Sequence, residues 1–228
     1  LEPLSPAHMP VLFPEVFLRF NGGFDVLVGN PPWETVKVET HKWWAQRFPG
    51  LLAIPTAARD EAIAEFRISR PDLQTEYESE VATVEGQRLA VQALGYPGLG
   101  TGDVDLYEVF AWRMRHALRD HGRLGVVFPR SLLASGGTAK WRQATLEAGE
   151  LVDVTVLTNT KRWAFDMEAR YTIALVVIER SGGRPTFGVA GPFESMDAFA
   201  KDGLNPIEVP STAPSTWSPS SMLPLIPD

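Results

Sequence analysis

Phe24-Asp25-Val26-Leu27-Val28-Gly29-Asn30-Pro31-Pro32-Trp33 is a short apolar run that ends abruptly in an asparagine, two prolines and an indole. The run is mostly apolar and does not alternate strictly, the pattern of strands in parallel sheets, so a strand is predicted over 24–29. Pro31 biases Asn30 toward an extended backbone. Pro31 and Pro32 restrict the chain that follows. One spot therefore offers a side-chain amide, a rigidly held carbonyl and a flat ring. That set of groups suits the capture of a planar amino group.

Working outward from this stretch, residues 1–23 are Pro-rich and then aromatic, with Phe13-Pro14-Glu15-Val16-Phe17 as an ordered entry segment. Downstream, residues 34–100 turn helical. Trp43, Trp44 and Phe48 mark one helix ended by Pro49-Gly50, Ala57 to Ile68 a second closed by Pro71, and Leu73 to Leu94 a third. The spacing of Leu106, Val109, Phe110, Met114, Ala117 and Leu118 predicts an amphipathic helix over 104–119, stopped by His121-Gly122. Strands are expected at 123–128, 151–157 and 171–179, with an edge strand at 185–189. A helix is expected over 140–148. Residues 191–228 form a Pro/Ser-rich tail, and the prolines and serines after residue 205 predict extended, weakly packed chain at most. The order of elements is that of an α/β fold, with fewer strands than a full doubly wound sheet.

Composition narrows the function classes. With 228 residues and 44% hydrophobic content, the chain can bury a real core. The net charge is −7, whereas compact nucleic-acid modules are usually basic, so this segment is not expected to supply the main grip on DNA. Cysteine is absent, which excludes thiolate metal sites and disulfides and fits a reducing cytosol. A cytoplasmic location is therefore expected. No apolar run approaches the length of a membrane span. His8, His41, His116 and His121 lack ligand spacing, so no metal site is expected. No lysine has Asp or Glu two residues before it, so the usual pattern of a metal-dependent nuclease is absent.

The motifs resemble, in their order along the chain, the gamma-type adenine-N6 DNA methyltransferases of large restriction-modification and phage-defence proteins. Phe24–Trp33, with Phe13–Phe17 and Gly22-Gly23-Phe24-Asp25 leading into it, resembles the catalytic motif. Gly102-Asp103-Val104-Asp105-Leu106-Tyr107 with Phe110 resembles the next motif, and Gly122 through Pro129 the following strand and turn. Asn159 through Phe165, followed by Tyr171-Thr172, resembles the hairpin whose aromatic lies against the target base. The resemblance spans roughly residues 13–180. It implies the C-terminal half of a Rossmann-like sheet that uses S-adenosylmethionine, with a helical insertion after the catalytic motif. The Gly-rich turn and the acidic residue that bind the cofactor in this family are missing. Leu99-Gly100-Thr101-Gly102 follows a loop rather than a strand and does not replace them. The expectation is a fragment of a longer enzyme, inactive alone and leading toward a target-recognition region outside this sequence.

The resemblance also assigns roles. Asn30, Pro31, Pro32 and Trp33 are the catalytic residues. Trp33 and Phe165 would stack on an extruded adenine. Asn30, Pro32, Tyr107 and Phe110 would lie near the cofactor. Apart from the resemblance, the cations Arg130, Lys161 and Arg162 are candidates to meet phosphates of double-stranded DNA beside the cleft. Each role has a plainer alternative: Phe165, Tyr107 and Phe110 as core aromatics, the cations as solvated surface, Asp25 as a backbone-bonding carboxylate, Trp43 and Trp44 as packing residues. Two other functions compete. One is methyl transfer to a protein glutamine amide, where a similar motif serves the same amine chemistry. The other is a non-enzymatic interaction module carrying a vestigial motif. If the catalytic strand lacks its expected neighbour, Val26 and Val28 sit on an unpaired apolar edge, and the fragment is expected to self-associate.

Overall fold

The computed structural model describes residues 8–99, 102–166 and 168–224. In chain order the elements are α1 (Met9–Leu12), α2 (Pro14–Phe17), β1 (Phe24–Gly29), α3 (Thr40–Arg47), α4 (Thr56–Ser69), α5 (Pro71–Ala93), α6 (Leu106–Ala117), β2 (Leu118–Pro129), α7 (Ser131–Ala134), α8 (Ala139–Glu147), β3 (Leu151–Thr158), β4 (Thr172–Glu179), β5 (Thr186–Phe193), α9 (Met196–Asp202), β6 (Ile207–Pro210) and α10 (Ala213–Trp217). They form two compact units.

The helical unit comprises residues 35–95 and 102–104 among those described. Its core is aromatic. Trp44 is fully buried, and Trp43, Leu51 and Ile63 pack with it. Phe48 and Phe66 stack with ring centroids 3.7 Å apart, and Tyr77 meets both tryptophans edge-on or tilted. Trp43 and Trp44 are thus packing residues. The Trp43 indole N–H donates to Glu80 at 2.5 Å, and the Arg47 guanidinium lies over its ring. Pro49-Gly50 ends α3 as expected, with Gly50 at φ 92, a conformation that glycine adopts without strain.

The sheet unit holds residues 8–34, 96–99 and 105–224 among those described. It is a mixed α/β layer built on six strands in the order β1-β2-β4-β3-β5-β6. β1 and β2 are parallel, β4 is antiparallel to both β2 and β3, β5 is parallel to β3, and β6 is antiparallel to β5. Leu124, Val126 and Phe128 of β2, Val154 and Val156 of β3, and Ala174, Val176 and Ile178 of β4 bury the alternate side chains that form the main core. Burying one such aliphatic side chain stabilises the fold by about 1.5–3 kcal/mol.

Four details differ from the expectations. The helix before β2 ends at Ala117, and β2 already begins at Leu118. His121-Gly122 therefore lies within the strand and does not stop a helix. Gly122 is needed there because a Cβ would sit 2.5 Å from the Phe24 carbonyl oxygen. On α6 the buried stripe is Glu108, Ala111, Trp112 and Arg115 with Tyr107 and Val109, while Leu106, Phe110 and Met114 are half-buried. The strand near 185–189 is longer than expected and lies inside the sheet, between β3 and β6.

The largest difference concerns the tail. Residues 206–224 are folded: β6 pairs with β5, and Val209 and Leu223 enter the core, while the last four residues of the expected tail lie outside the described residues. Prolines suit this edge, because Pro210 needs no ladder donor on the outer side, and the Pro206 ring lies against Gly188. The fully buried Arg142 guanidinium then straps residues 220–221 down. It donates to the carbonyls of Ser220 and Ser221 as well as to Leu132, Ser135 and Thr138. Burial holds its pKa down to about 10.

Candidate functional site

Register places the loops. Ile173 of β4 lies opposite both Pro129 of β2 and Leu157 of β3, and Leu157 also faces Phe193 of β5. β1 runs parallel to β2, with Gly29 opposite Val126. The carboxyl ends of β1, β2, β3 and β5 therefore emerge on one side of the sheet. In open α/β sheets, ligands bind outside those ends. Asn30–Trp33 follows β1, Arg130 follows β2, and the turn carrying Lys161, Arg162 and Phe165 follows β3. The amino end of α6 joins them, because the Leu106 N–H donates to the Glu34 carbonyl at 2.9 Å. Tyr107 and Phe110 belong to its first turns. The residues given catalytic, base-stacking, cofactor or phosphate roles from sequence thus lie on segments that leave one end of one sheet, whereas Asp25 sits near the start of β1 and Trp43 and Trp44 belong to the helical unit.

Within that set the environments differ. Asn30 and Pro32 are exposed, Pro31 is buried and Trp33 is half-buried. The Trp33 indole N–H is buried without a hydrogen-bond partner. Its ring packs on the main core and on the cluster of Leu157, Ile173, Ala190 and Phe193. Phe165 packs on that same cluster. Lys161 and Arg162 are exposed, and Arg162 lies 3.5 Å from Asp166. The half-buried Arg130 donates its backbone N–H to the Thr172 carbonyl. Tyr107 is a core residue, 2% exposed, and burial pushes its phenol pKa up. Phe110 is half-buried.

Asp25 departs from the backbone-bonding role expected of it. It pairs with the Arg19 and Arg119 side chains, which hold its carboxyl down at about 2. Among the described residues, no group of three or more His, Cys, Asp or Glu side chains could hold a metal ion, and no helix is long and apolar enough to cross a membrane.

Two residues at this end were given no role from sequence, although Asn159 opens the hairpin resemblance. Asn159, fully buried, bonds through its side chain to the backbone of the Phe165 turn. Its signal was an asparagine directly after a β-branched strand. Glu108 is 9% exposed and lies against the Gly137 backbone, where a Cβ would approach Oε1 to 2.5 Å. Its signal was a carboxylate at i, i+3, i+4 and i+7 spacing from Ala111, Trp112 and Arg115 on a single helix face.

Burial first and Asp105 second push the Glu108 carboxyl up to about 7. The folded-state value therefore lies above the unfolded one. The stability linked to this group is complete below about 4.5 and is lost as pH rises to about 7, a loss on the order of 3 kcal/mol. Glu108→Gln is expected to flatten that slope. Urea denaturation at pH 5 and pH 8 measures it, and equal slopes for wild type and variant would show that the carboxyl is not desolvated.

No protein-family model matches the chain, and no curated protein matches it. Solved structures do. The methyltransferase subunit of a type I restriction-modification system from Streptococcus thermophilus is 13% identical, with a TM-score of 0.45 over 97% of this chain and 39% of that one. A protein of another type I system is 17% identical, with a TM-score of 0.43 over 78% of this chain and 28% of that one. The ATP-dependent type ISP restriction-modification enzyme LlaBIII, solved bound to DNA, is 14% identical, with a TM-score of 0.42 over 81% of this chain and 12% of that one. The chain thus spans well under half the length of these structures.

Proposed function

We propose that this chain is the acceptor half of the catalytic domain of a restriction-modification or phage-defence protein that methylates the N6 amine of adenine in double-stranded DNA. One observation carries the reading. Asn30–Trp33, the Phe165 turn and the cations Arg130, Lys161 and Arg162 all leave the same end of one sheet.

The amine of adenine is a weak nucleophile because its lone pair is shared with the ring. The Asn30 amide oxygen and the Pro31 carbonyl would accept its two hydrogens and favour a more tetrahedral nitrogen. That is stabilisation aimed at charge developing in the transition state. Flipping the base costs a few kcal/mol, and each aromatic face returns about 1–3 kcal/mol. Trp33 and Phe165, which pack on one apolar cluster, would supply two such faces. Arg130, Lys161 and Arg162 would then meet backbone phosphates beside the flipped base.

S-adenosylmethionine, when bound, supplies an electrophilic methyl group. The residues present fit one side of it: Asn30 and Pro32 are exposed at the end of an edge strand, and the half-buried Phe110 belongs to α6, whose first residue bonds to the Glu34 carbonyl just beyond them. Tyr107 fits as a buried wall rather than as a contact. The Gly-rich turn that holds this cofactor in the family is not in the sequence, so the chain alone is expected to be inactive.

The deciding assay digests DNA after incubation with the full-length protein and the methyl donor. N6-methyladenine supports this reading, methyl on a glutamine amide supports the protein-methylating alternative, and no transfer supports a vestigial module.

The same reading predicts self-association. β1 is an edge strand with Val26 62% and Val28 81% exposed, and such edges recruit further strands. The isolated chain is expected to form dimers or larger species at micromolar concentration, and Val28→Lys to disperse them. A monodisperse wild-type monomer in sedimentation velocity would overturn this.

A further inference from the structure

We infer that Asn159 is a positioning residue, which holds the Phe165 ring where it can cover one face of the flipped base. The inference rests on the proposed adenine-methylating reading and adds to it a residue that does not touch the substrate.

The turn after β3 is an improbable one to hold open. Lys161 and Arg162 both take φ 58, a left-handed conformation that costs non-glycine residues about 1–3 kcal/mol each. Two such residues in succession persist only when their surroundings over-determine them. Asn159 supplies that restraint. Its Oδ1 accepts from the backbone N–H groups of Ala164 at 3.3 Å and Phe165 at 3.1 Å. Its Nδ2 donates to the Phe165 carbonyl at 2.9 Å, and its own carbonyl accepts from the Arg162 N–H at 2.8 Å. One buried side chain thus grips the backbone of Phe165 on both its donor and its acceptor. Next to it, the Trp163 indole donates to the Thr158 carbonyl at 2.8 Å. Together they leave Thr160–Arg162 exposed and bring Trp163, Ala164 and Phe165 back onto Leu157, Ile173, Ala190 and Phe193, the cluster against which Trp33 also packs.

The amide is the specific requirement. A carboxylate in its place keeps the acceptor for Ala164 and Phe165 but sets a second oxygen against the Phe165 carbonyl. Alanine removes the side-chain bonds to Ala164 and Phe165 and leaves buried groups unpaired.

The test uses the full-length protein and a duplex with 2-aminopurine at the target adenine. Asn159→Asp is expected to lower kcat about tenfold to a hundredfold, with KM within about threefold, the scale of one lost stacking face, and to change the 2-aminopurine emission of the bound complex. Phe165→Leu keeps the apolar volume and leaves the backbone alone, so it tests the same step without the risk of misfolding. The double variant is expected to lose no more than either single variant, because both act through one ring. If Asn159→Asp or Phe165→Leu leaves kcat and emission unchanged while Asn30→Ala abolishes transfer, the positioning role is wrong and the methylating reading survives. Additive losses in the double variant would also remove it. A wild-type protein that transfers no methyl group to adenine overturns both.

Discussion

Alanine at Asn30 is expected to lower methyl transfer by the full-length protein about 10²–10³-fold, the usual cost of deleting one group that stabilises developing charge. The loss should fall on kcat. Asn30 is exposed at the end of β1 and its side chain makes no hydrogen bond among the described residues, so the fold does not depend on it. A melting temperature within about a degree of wild type is the control, since surface substitutions usually lie within ±0.5 kcal/mol. Asn30→Asp gives a sharper comparison. It keeps an acceptor for the amine but adds a charge, so it should retain more activity than alanine. Incorporation of labelled methyl into duplex DNA is the measurement. Undiminished transfer by Asn30→Ala would mean that the motif is vestigial and that any activity comes from elsewhere.

This prediction could be framed from sequence because the motif is local. An apolar run, an asparagine and two prolines fix strand end, amide and carbonyl within a few residues. Their convergence with the Phe165 turn was not legible in the same way. It depends on β4 inserting antiparallel between β2 and β3, a pairing between segments far apart in the chain. Likewise Asn159 was visible as a residue after a strand, whereas its grip on Phe165 depends on two left-handed residues that no periodicity reveals. The tail was misread for a physical reason. Proline and serine enrichment signals a chain that cannot bury itself, yet an edge strand tolerates Pro206 and Pro210, and the strap around residues 220–221 is held by an arginine 78 positions earlier. The α6 face was drawn through Phe110 and Met114 because these are apolar. The buried stripe instead includes Glu108 and Arg115, which hydrophobicity alone places outside.

Arg115 leads to the largest stability effect, at the opposite end of the sheet from the motif. Its Nε donates to Glu150 Oε2 at 2.5 Å, and Glu150 Oε1 accepts from Arg180 at 2.8 Å and from the Ser181 backbone N–H at 3.2 Å. Glu150 is 1% exposed and Arg115 8%. One carboxylate thereby ties α6, the start of β3 and the turn after β4 together. Alanine at Glu150 removes the anion and leaves a guanidinium in the interior, a change that costs about 3–5 kcal/mol. For a chain of this size that is a fall of about 6–20 °C in melting temperature, since each kcal/mol is worth about 2–4 °C. The cost belongs to the stranded charge rather than to the pair. Replacing the most deeply buried pair, as in Arg115→Met with Glu150→Leu, leaves only the 27% exposed Arg180 and the Ser181 N–H to find water, and is therefore expected to recover most of the loss, since apolar substitutes for buried ion pairs are often neutral or stabilising. Thermal melting of wild type and these two variants decides it. A Glu150→Ala chain that melts within about 2 °C of wild type would mean that Arg115 reaches water once freed. A double variant as weak as Glu150→Ala would mean that the network, and not the lone charge, supplies the stability.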